Sequence, residues 1–357
     1  MIPIYKPYLS KHILKYAHKA IDSTWISGYG KYLDIVKEEL KDLTKSKYVI
    51  LTFNGTTATH LTAISLKYKY PNIKDIIVPS NVYVAAWNTF KMNPIYNFNI
   101  LDSNINTWNL DISKLNKTDK NKAVLIVHNM GNIINVPKLK IDFPNYIYIE
   151  DNCEGFLGKY ENKYSGTESL SSSVSFFGNK TLTSGEGGAF FTNDENIFNY
   201  INSVKSQGIT NKKFIFNKLG YNYRMTNIQA SILYGQLKYK NEILENKERI
   251  FNKYKELLKN NKNIIFQKNE ENTKQANWMF AIRIKNINKQ KLILHLYQNN
   301  IETRPMFPDI NKHQHLKINK EFKNSILLYN EVIILPSYPT LTNNQINFIC
   351  EKINKFK

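Results

Sequence analysis

A single lysine stands between two segments that are typical of β-strands. Residues 173–191 read SVSFFGNKTLTSGEGGAFF, so Lys180 follows a β-prone apolar run and precedes a glycine cluster. A lysine in such a gap is usually a solvated turn residue. Beside a cofactor, however, a lysine amine can form a Schiff base with a carbonyl group. The choice between these two interpretations depends on what accompanies Lys180.

Small and hydroxyl-bearing residues follow the first predicted strand. The segment NGTTA at 54–58 joins the apolar run 48–53 to a helical pattern. Its glycine and small residues let backbone N–H groups and hydroxyls approach an anion at the helix N-terminus. On its own this turn is a weak indication of a phosphate site.

Two carboxylates come directly after another apolar strand. Glu150 and Asp151 end the segment YIYIED. A carboxylate at this place either caps the next helix or pairs with a buried cation. In open parallel sheets, ligands bind beyond the carboxyl ends of the strands. The turn at 54–58, Asp151 and the stretch before Lys180 are all predicted to lie at such ends.

These three features together fit the needs of pyridoxal 5′-phosphate (PLP). An anion cradle holds its phosphate, a carboxylate keeps its pyridine nitrogen protonated, and a lysine binds its aldehyde. The cofactor then performs the difficult chemistry, while the protein orients it. The combination is far more specific than any of its parts.

Alternating strand and helix patterns predict the elements that carry these residues. Strands are predicted at 48–53, 75–80, 94–100, 122–130 and 146–152, separated by helices such as 58–70 and 81–92. This alternation favours βαβ units and a mostly parallel sheet, and near-continuous apolar strands fit a sheet covered on both faces. Helices are also predicted within 8–47.

The alternation of strand and helix patterns ends near residue 230. Residues 229–260 have the pattern of one long, charged amphipathic helix. Beyond it, WMFAIRI, a helix at 289–300 and IETRPMF indicate a smaller α+β unit. We therefore predict an α/β protein with a large domain at 1–230, including an N-terminal helical segment, and a small C-terminal domain at 231–357.

Composition restricts the class of protein. The chain has 357 residues, 42% of them hydrophobic, which is ample for a large folded core. Its two cysteines cannot form a disulfide framework. Because no signal-peptide pattern or membrane-length apolar run is found, we expect a cytoplasmic protein that does not bind membranes.

The formal net charge is +20, but the sequence contains no arginine-rich arm or basic helix. The lysines are scattered, so an anionic substrate explains the charge better than nucleic acid does. We expect no nucleic-acid partner. His313 and His315 are interpreted as surface residues, and no metal site is predicted.

At this point the sequence resembles a known family over nearly its whole length. WISGYGKYLDIVKEEL, NGTTATHLTA, IVPSNVYVAAWNTF, IEDNCEGFLGKY, SFFGNKTLTSGEGG and GYNYRMTNIQASILYGQL stand in the order and spacing of the nucleotide-sugar aminotransferases of the DegT/DnrJ/StrS type. Within it, IETRPMF and Glu154 resemble the GDP-perosamine synthases. The resemblance implies the aspartate aminotransferase fold (PLP fold type I).

The resemblance also implies roles for individual residues. Lys180 would be the catalytic lysine, joined to PLP as a Schiff base, Asp151 would pair with the pyridine nitrogen, and Glu154 would lie near the ring hydroxyl. Tyr83 would stack on the ring, although core packing is an alternative. The other positions are phosphate or cofactor contacts, namely Thr56, Thr57, Ser175, Asn179 and Asn222, and substrate contacts, namely Tyr29, Arg224 and Arg304.

Asn222 would reach the cofactor phosphate of a second subunit, so the resemblance implies a homodimer with composite active sites. The chain departs from the family after Asp151, where it has Asn152-Cys153 and the family often has Ala-Ala or Ala-Cys. It also departs in NMGNIINVPKLK at 129–140. FPDINKHQHLK also matches poorly.

The implied reaction moves an amino group from L-glutamate to a nucleotide-linked 4-keto-6-deoxyhexose, with pyridoxamine phosphate as the intermediate form of the cofactor. The product would be a 4-amino-4,6-dideoxy sugar of the perosamine or viosamine kind, for glycan biosynthesis. Alternatives are transfer to C3 of a 3-keto sugar, and a non-catalytic binding or regulatory homologue. A sugar dehydratase of the same fold is disfavoured, since such enzymes carry a histidine in place of the lysine. The sequence does not choose among GDP, UDP and dTDP.

Overall fold

The structure is a computed structural model that describes residues 1–93, 95–212 and 214–356. The predicted strand 94–100 begins at Pro94, which lies outside the described residues, as does Lys357 at the end of the predicted small domain. Within the described residues the α-helices are α1 (Lys11–Asp22), α2 (Lys31–Thr44), α3 (Gly55–Lys69), α4 (Ala85–Lys91), α5 (Val136–Asp142), α6 (Glu195–Val204), α7 (Asn227–Lys238), α8 (Lys240–Leu258), α9 (Lys289–Gln298), α10 (Lys323–Glu331) and α11 (Asn343–Asn354).

The strands within the same residues are β1 (Tyr48–Thr52), β2 (Asp75–Pro79), β3 (Asn97–Leu101), β4 (Lys122–Val127), β5 (Tyr146–Asp151), β6 (Lys159–Tyr160), β7 (Lys163–Tyr164), β8 (Ser172–Ser175), β9 (Gly188–Thr192), β10 (Ile264–Phe266), β11 (Thr273–Lys274), β12 (Phe280–Ile284), β13 (Arg304–Pro305) and β14 (Val332–Leu335).

A seven-stranded sheet forms the centre of the molecule, in the order β1-β9-β8-β5-β4-β2-β3. Only β9 runs against its neighbours, since β5–β8, β4–β5, β2–β4 and β2–β3 are all parallel pairs. Parallel neighbours need a crossover, and the intervening helices supply it. The mostly parallel α/β sheet predicted from the sequence is confirmed.

Helices cover both faces of this sheet because its strands carry apolar side chains on alternate sides. In β1, Val49 and Leu51 pack in one cluster with residues of α1, α2 and α7, whereas Ile50 packs on the opposite face with α6. The other end repeats the arrangement, with α3 and α4 on one face and α5 on the other. A sheet enclosed in this way leaves its strand ends as the place for a ligand.

A second, antiparallel sheet lies in the C-terminal part of the chain, in the order β10-β12-β14-β13. Its core includes side chains from α8, α9 and α11, for example Tyr254, Leu292 and Ile346. The smaller α+β unit is therefore present. The division of the chain at residues 230 and 231 stays a prediction.

The predicted helix at 229–260 is wrong in one respect, because it is two helices. α7 ends and α8 begins around Tyr239, whose backbone leaves the helical region at φ −107° and ψ 16°. α7 is buried on nearly all sides in the hydrophobic core that includes Val49 and Leu51 of β1, whereas α8 buries one face in the core of the second sheet. The chain changes direction because the two halves serve different cores.

Candidate active site

A cavity of about 360 Å³ opens at the carboxyl ends of β4, β5 and β8. The predicted residues that line it are Thr56, Tyr83, Asp151, Glu154, Ser175, Asn179, Lys180 and Arg304. The fold thus brings eight widely separated sequence positions to one place. Thr57, Asn222, Arg224 and Tyr29 are not among its lining residues.

Lys180 is held by a closed loop that follows β8. Its N–H donates to the carbonyl of Phe177 at 2.9 Å, and its own carbonyl accepts from the Tyr5 hydroxyl at 2.8 Å. The loop returns to β8 through Phe176, whose N–H donates to Gly187 at 2.8 Å. Gly187 has φ +151°, which a residue with a side chain rarely adopts. Lys180 is partly buried in the cavity wall and is not a solvated turn residue.

Glu150 and Asp151 point to opposite sides of the sheet, as neighbours in a strand must. Asp151 faces the cavity, where its carboxylate also accepts from the N–H of Cys153 at 3.1 Å. Glu150 is fully buried and accepts from the Nε2 of His128 at 2.9 Å, while His128 Nδ1 accepts from a backbone N–H. Of the two carboxylates, Asp151 is the one placed to act on a ligand.

Glu154 is the second carboxyl group in the cavity. Burial raises the pKa of Glu154 to about 7, although the positive charge of Lys180 and a bond from the N–H of Met130 oppose this rise. That bond joins Met130 N to Glu154 Oε2 at 2.8 Å. Glu154 can therefore hold or release a proton near neutral pH.

The anion end of the cavity lies at the start of α3. Asn54 caps this helix through a capping box with Thr57, whose hydroxyl binds the backbone of Asn54. Thr57 is thus engaged in the cap, while Thr56 and Ser175 line the cavity. A Cβ on Gly55 would come within 2.5 Å of the Ser175 Cβ, so glycine is required for the helix to approach β8.

The cavity has two aromatic walls. Tyr83 is 57% exposed, so the alternative of simple core packing is wrong, and its ring lies 5.7 Å from that of Phe307. The second wall is Trp278, whose ring centroid lies 4.1 Å from Lys180 Nζ. Trp278 was not singled out as a site residue, because the sequence pattern assigns it only to the start of a strand.

Tyr29 and Arg224 lie together in a separate cavity of about 230 Å³, which Lys37 and Lys205 also line. Asn222 is exposed and forms a β-bridge with Ser206. The predicted substrate and cofactor contacts of Tyr29, Arg224 and Asn222 stay predictions. None of these three residues lines the Lys180 cavity of its own chain.

One departure from the family pattern, Asn152, has a structural explanation. The buried Asn152 side chain exchanges hydrogen bonds with Ser165, whose carbonyl and hydroxyl are both 2.9 Å away. Cys153 lies at the cavity with its pKa raised well above the ordinary value, chiefly by burial. His315 is exposed as predicted, but His313 is partly buried against the Trp87 ring at 5.2 Å.

The cavity residues fit PLP. It offers an amine at Lys180, a carboxylate at Asp151, hydroxyls beside a helix N-terminus, and aromatic walls. In addition, Asn179 Oδ1 is buried without a hydrogen-bond partner in the described part of the chain, as an atom awaiting a ligand would be. Across residues 1–93, 95–212 and 214–356 no cluster of three or more potential metal ligands is found, and no helix there is long and apolar enough to cross a membrane.

The fold and this site define a PLP-dependent aminotransferase-type enzyme. Residues 7–354 match the model of the DegT/DnrJ/EryC1/StrS aminotransferase family, and the chain belongs to that family. It is 33% identical to GDP-perosamine synthase of Escherichia coli O157:H7 over 99% of this chain and 98% of the relative, and 32% identical to GDP-perosamine synthase of Vibrio cholerae over 100% and 99%.

Solved structures show the same fold. The E. coli GDP-4-keto-6-deoxy-D-mannose-3-dehydratase with bound hydrated PLP superposes with a TM-score of 0.89 and 21% identity, over 99% of each chain. The predicted fold class and family are confirmed, and the cofactor is PLP.

Proposed function

We propose that this protein transfers the amino group of L-glutamate to C4 of a GDP-linked 4-keto-6-deoxyhexose, and so makes a 4-amino-4,6-dideoxy sugar nucleotide. The observation that carries the proposal is the Lys180 amine, which shares a cavity with Asp151 and Glu154. The two GDP-perosamine synthases, alike in sequence over nearly their whole length, support the choice of the C4 position and of GDP.

When bound, PLP supplies an electron sink that stabilises negative charge on the carbon next to the transferred nitrogen. Lys180 would bind the cofactor's aldehyde and, once released, carry the proton between that carbon and the cofactor. Its loop allows both roles, because the backbone is fixed at Phe177 and Tyr5 while the side chain projects into the cavity.

Asp151 and Glu154 would set the charge of the bound cofactor. Asp151, at the end of β5, would pair with the protonated ring nitrogen and keep it charged. Glu154 would lie near the ring hydroxyl, where a carboxyl group that titrates near pH 7 can share a proton. The first turn of α3 and Ser175 would bind the phosphate, and Asn179 Oδ1 would gain a partner.

The site is proposed to be shared between two copies of the chain. Asn222 lies outside the cavity of its own chain, so a contact with the cofactor phosphate requires a partner. Apolar side chains are exposed in two segments near it, namely Trp25, Ile26, Tyr29, Ile209, Ile215, Phe216 and Leu219. Asn227, at the start of α7, holds the first of these segments through bonds to the carbonyls of Trp25 and Ser27. Apolar exposure of this kind is typical of an interface.

Three rival functions differ at identifiable points. A dehydratase of this fold would have a histidine at position 180, and this chain has a lysine there. A 3-aminotransferase would place the amine on C3. A non-catalytic homologue would bind without turnover, for example to DNA in a salt-sensitive way. The proposed enzyme acts in the cytoplasm without a membrane or nucleic-acid partner.

The test is a product analysis. The purified protein, loaded with PLP, is given L-glutamate and in turn the GDP-, UDP- and dTDP-linked 4-keto-6-deoxyhexoses and a 3-keto analogue. We expect turnover with the GDP-linked 4-keto sugar and a product with nitrogen on C4 by NMR, in either C4 configuration. An amine on C3, or no turnover with any keto sugar, would contradict the proposal.

A further inference from the structure

The indole of Trp278 covers the amine of Lys180. Lys180 Nζ lies 4.1 Å from the centroid of the Trp278 ring, a distance typical of a cation held on an aromatic face. Trp278 is only 4% exposed, so the contact is shielded from water on the ring side. Such a contact is stronger when it is desolvated.

Trp278 is itself fixed at both ends. Its Nε1–H donates to the carbonyl of Asn179, the residue before Lys180, at 3.0 Å. Its own carbonyl accepts from Lys247 Nζ at 2.7 Å, and the same Nζ donates to the carbonyl of Ser337. Lys247 is wholly buried in α8. Trp278 therefore connects the loop that carries Lys180 to the buried side chain of Lys247, which also binds a carbonyl just after β14.

An indole face favours a protonated nitrogen over a neutral one, because the ring's negative face attracts positive charge. The other titratable or charged groups that line this cavity are Tyr83, Asp151, Cys153, Glu154, Glu186 and Arg304. Two of these acids, Asp151 and Glu154, lie at the end of β5 and just after it. Trp278 thus adds an attraction that carries no net charge, and it helps to fix where the lysine nitrogen lies in the cavity.

We propose that Trp278 is a positioning residue for Lys180, and that Lys247 acts on the site by holding Trp278 in place. The inference rests on the proposed function, since it concerns the nitrogen of Lys180 both free and joined to PLP. The indole face attracts that nitrogen in its positively charged form and aligns it for proton transfer.

The first test uses Trp278→Phe and Trp278→Leu. The visible absorbance of each PLP-loaded variant is titrated with pH, and borohydride reduction checks that PLP is still attached to Lys180. We expect Trp278→Leu to lower the pH midpoint by about one unit, and Trp278→Phe, which keeps a ring but loses the N–H anchor, by less.

Steady-state kinetics supply a second readout for the same variants. We expect kcat to fall about tenfold in Trp278→Leu with little change in KM for the keto sugar, because the step affected follows binding. A midpoint that is unchanged in both variants, or an effect on KM alone, would overturn the inference. If Trp278→Leu does not load PLP, the midpoint of Trp278→Phe decides.

The second test is a double-mutant cycle with Lys247→Met. Loss of the donor to the Trp278 carbonyl should lower the midpoint, whereas removal of the positive charge that Lys247 carries when protonated would by itself raise it. In the Trp278→Leu background, Lys247→Met should have no further effect. An equal shift in both backgrounds, or an upward shift, would contradict the proposed link.

Lys289→Met is the matched control. Lys289 is also a buried lysine, and its Nζ likewise donates to a backbone carbonyl, that of Tyr329. It lies in α9, away from the cavity residues, so its loss should leave the midpoint unchanged. A wild-type protein without a visible band would contradict the proposed function, while a wild-type band with unmoved variants would contradict only this inference.

Discussion

At the scale of single residues, the chemistry depends on the nucleophilic amine of Lys180. We expect Lys180→Ala to reduce turnover by about a thousandfold or more, because it removes both the cofactor's covalent anchor and the proton carrier. Lys180→Arg is the matched control, since it keeps a positive charge but cannot form an imine, and it should be equally inactive. The assay is formation of the amino sugar by chromatography. Repeated turnover by either variant would rule out the assigned role.

Glu154 provides a pH-dependent test. Its pKa is raised to about 7, so it is mostly protonated at pH 6 and mostly a carboxylate at pH 8. We expect the profile of kcat/KM against pH to show a step near pH 7 that is absent in Glu154→Gln, because glutamine keeps the bond to Met130 but does not titrate. Glu186→Gln, which changes another cavity acid, should keep the step. If the step near pH 7 persisted in Glu154→Gln, a group other than Glu154 would be titrating there.

The sequence located the cavity residues that follow strands of the large sheet, but it missed Trp278. Lys180, Asp151 and Ser175 could be found because parallel strands bring their carboxyl ends to one edge. Trp278 arrives from the second sheet, and nothing in the pattern NWMFAIRI shows that its ring lies over Lys180. The engagement of Thr57 in a helix cap is equally invisible without the capping geometry.

At the scale of elements, the core of the sheet was predictable because alternation and apolar runs are local signals. The break between α7 and α8 was not, because both halves carry helical periodicity and only their packing against different cores separates them. The bond from Lys247 of α8 to the Trp278 carbonyl could not be predicted either, because it also depends on packing. Lys247 resembles the many solvated lysines around it in the sequence, and only the fold buries it.

Lys247 should make stability depend on pH. Burial lowers its pKa from 10.5 to about 7, so between these values the unfolded chain binds more protons than the folded one, and stability rises with pH. We expect wild type to gain roughly 1–2 kcal/mol over Lys247→Met between pH 7.5 and 9, measured by urea unfolding. Lys259→Met, at the exposed end of the same helix, is the control. A wild-type curve parallel to that of Lys247→Met would contradict this account.

At the scale of the whole molecule, the composite site can be tested by mixing two inactive chains. Lys180→Ala lacks the amine, and Asn222→Asp places a negative charge where the partner's cofactor phosphate is proposed to lie. We expect mixed dimers, isolated through their two different tags after co-expression, to have about half of wild-type activity, because one of their two sites has both native residues. This magnitude follows from site counting in a twofold dimer. Mixtures no more active than the parent variants would argue against a shared site.

The central claim is that Lys180 holds PLP in an enzyme that takes nitrogen from glutamate and gives it to a keto sugar. The most direct measurement is the absorption spectrum of the PLP-loaded protein, before and after L-glutamate and then after the GDP-linked 4-keto sugar. We predict a visible band from PLP joined to lysine, its loss with glutamate, and its return with the sugar, with Lys180→Ala lacking the initial band. A wild-type protein that binds PLP without this band, or a band that glutamate leaves unchanged, would contradict the claim.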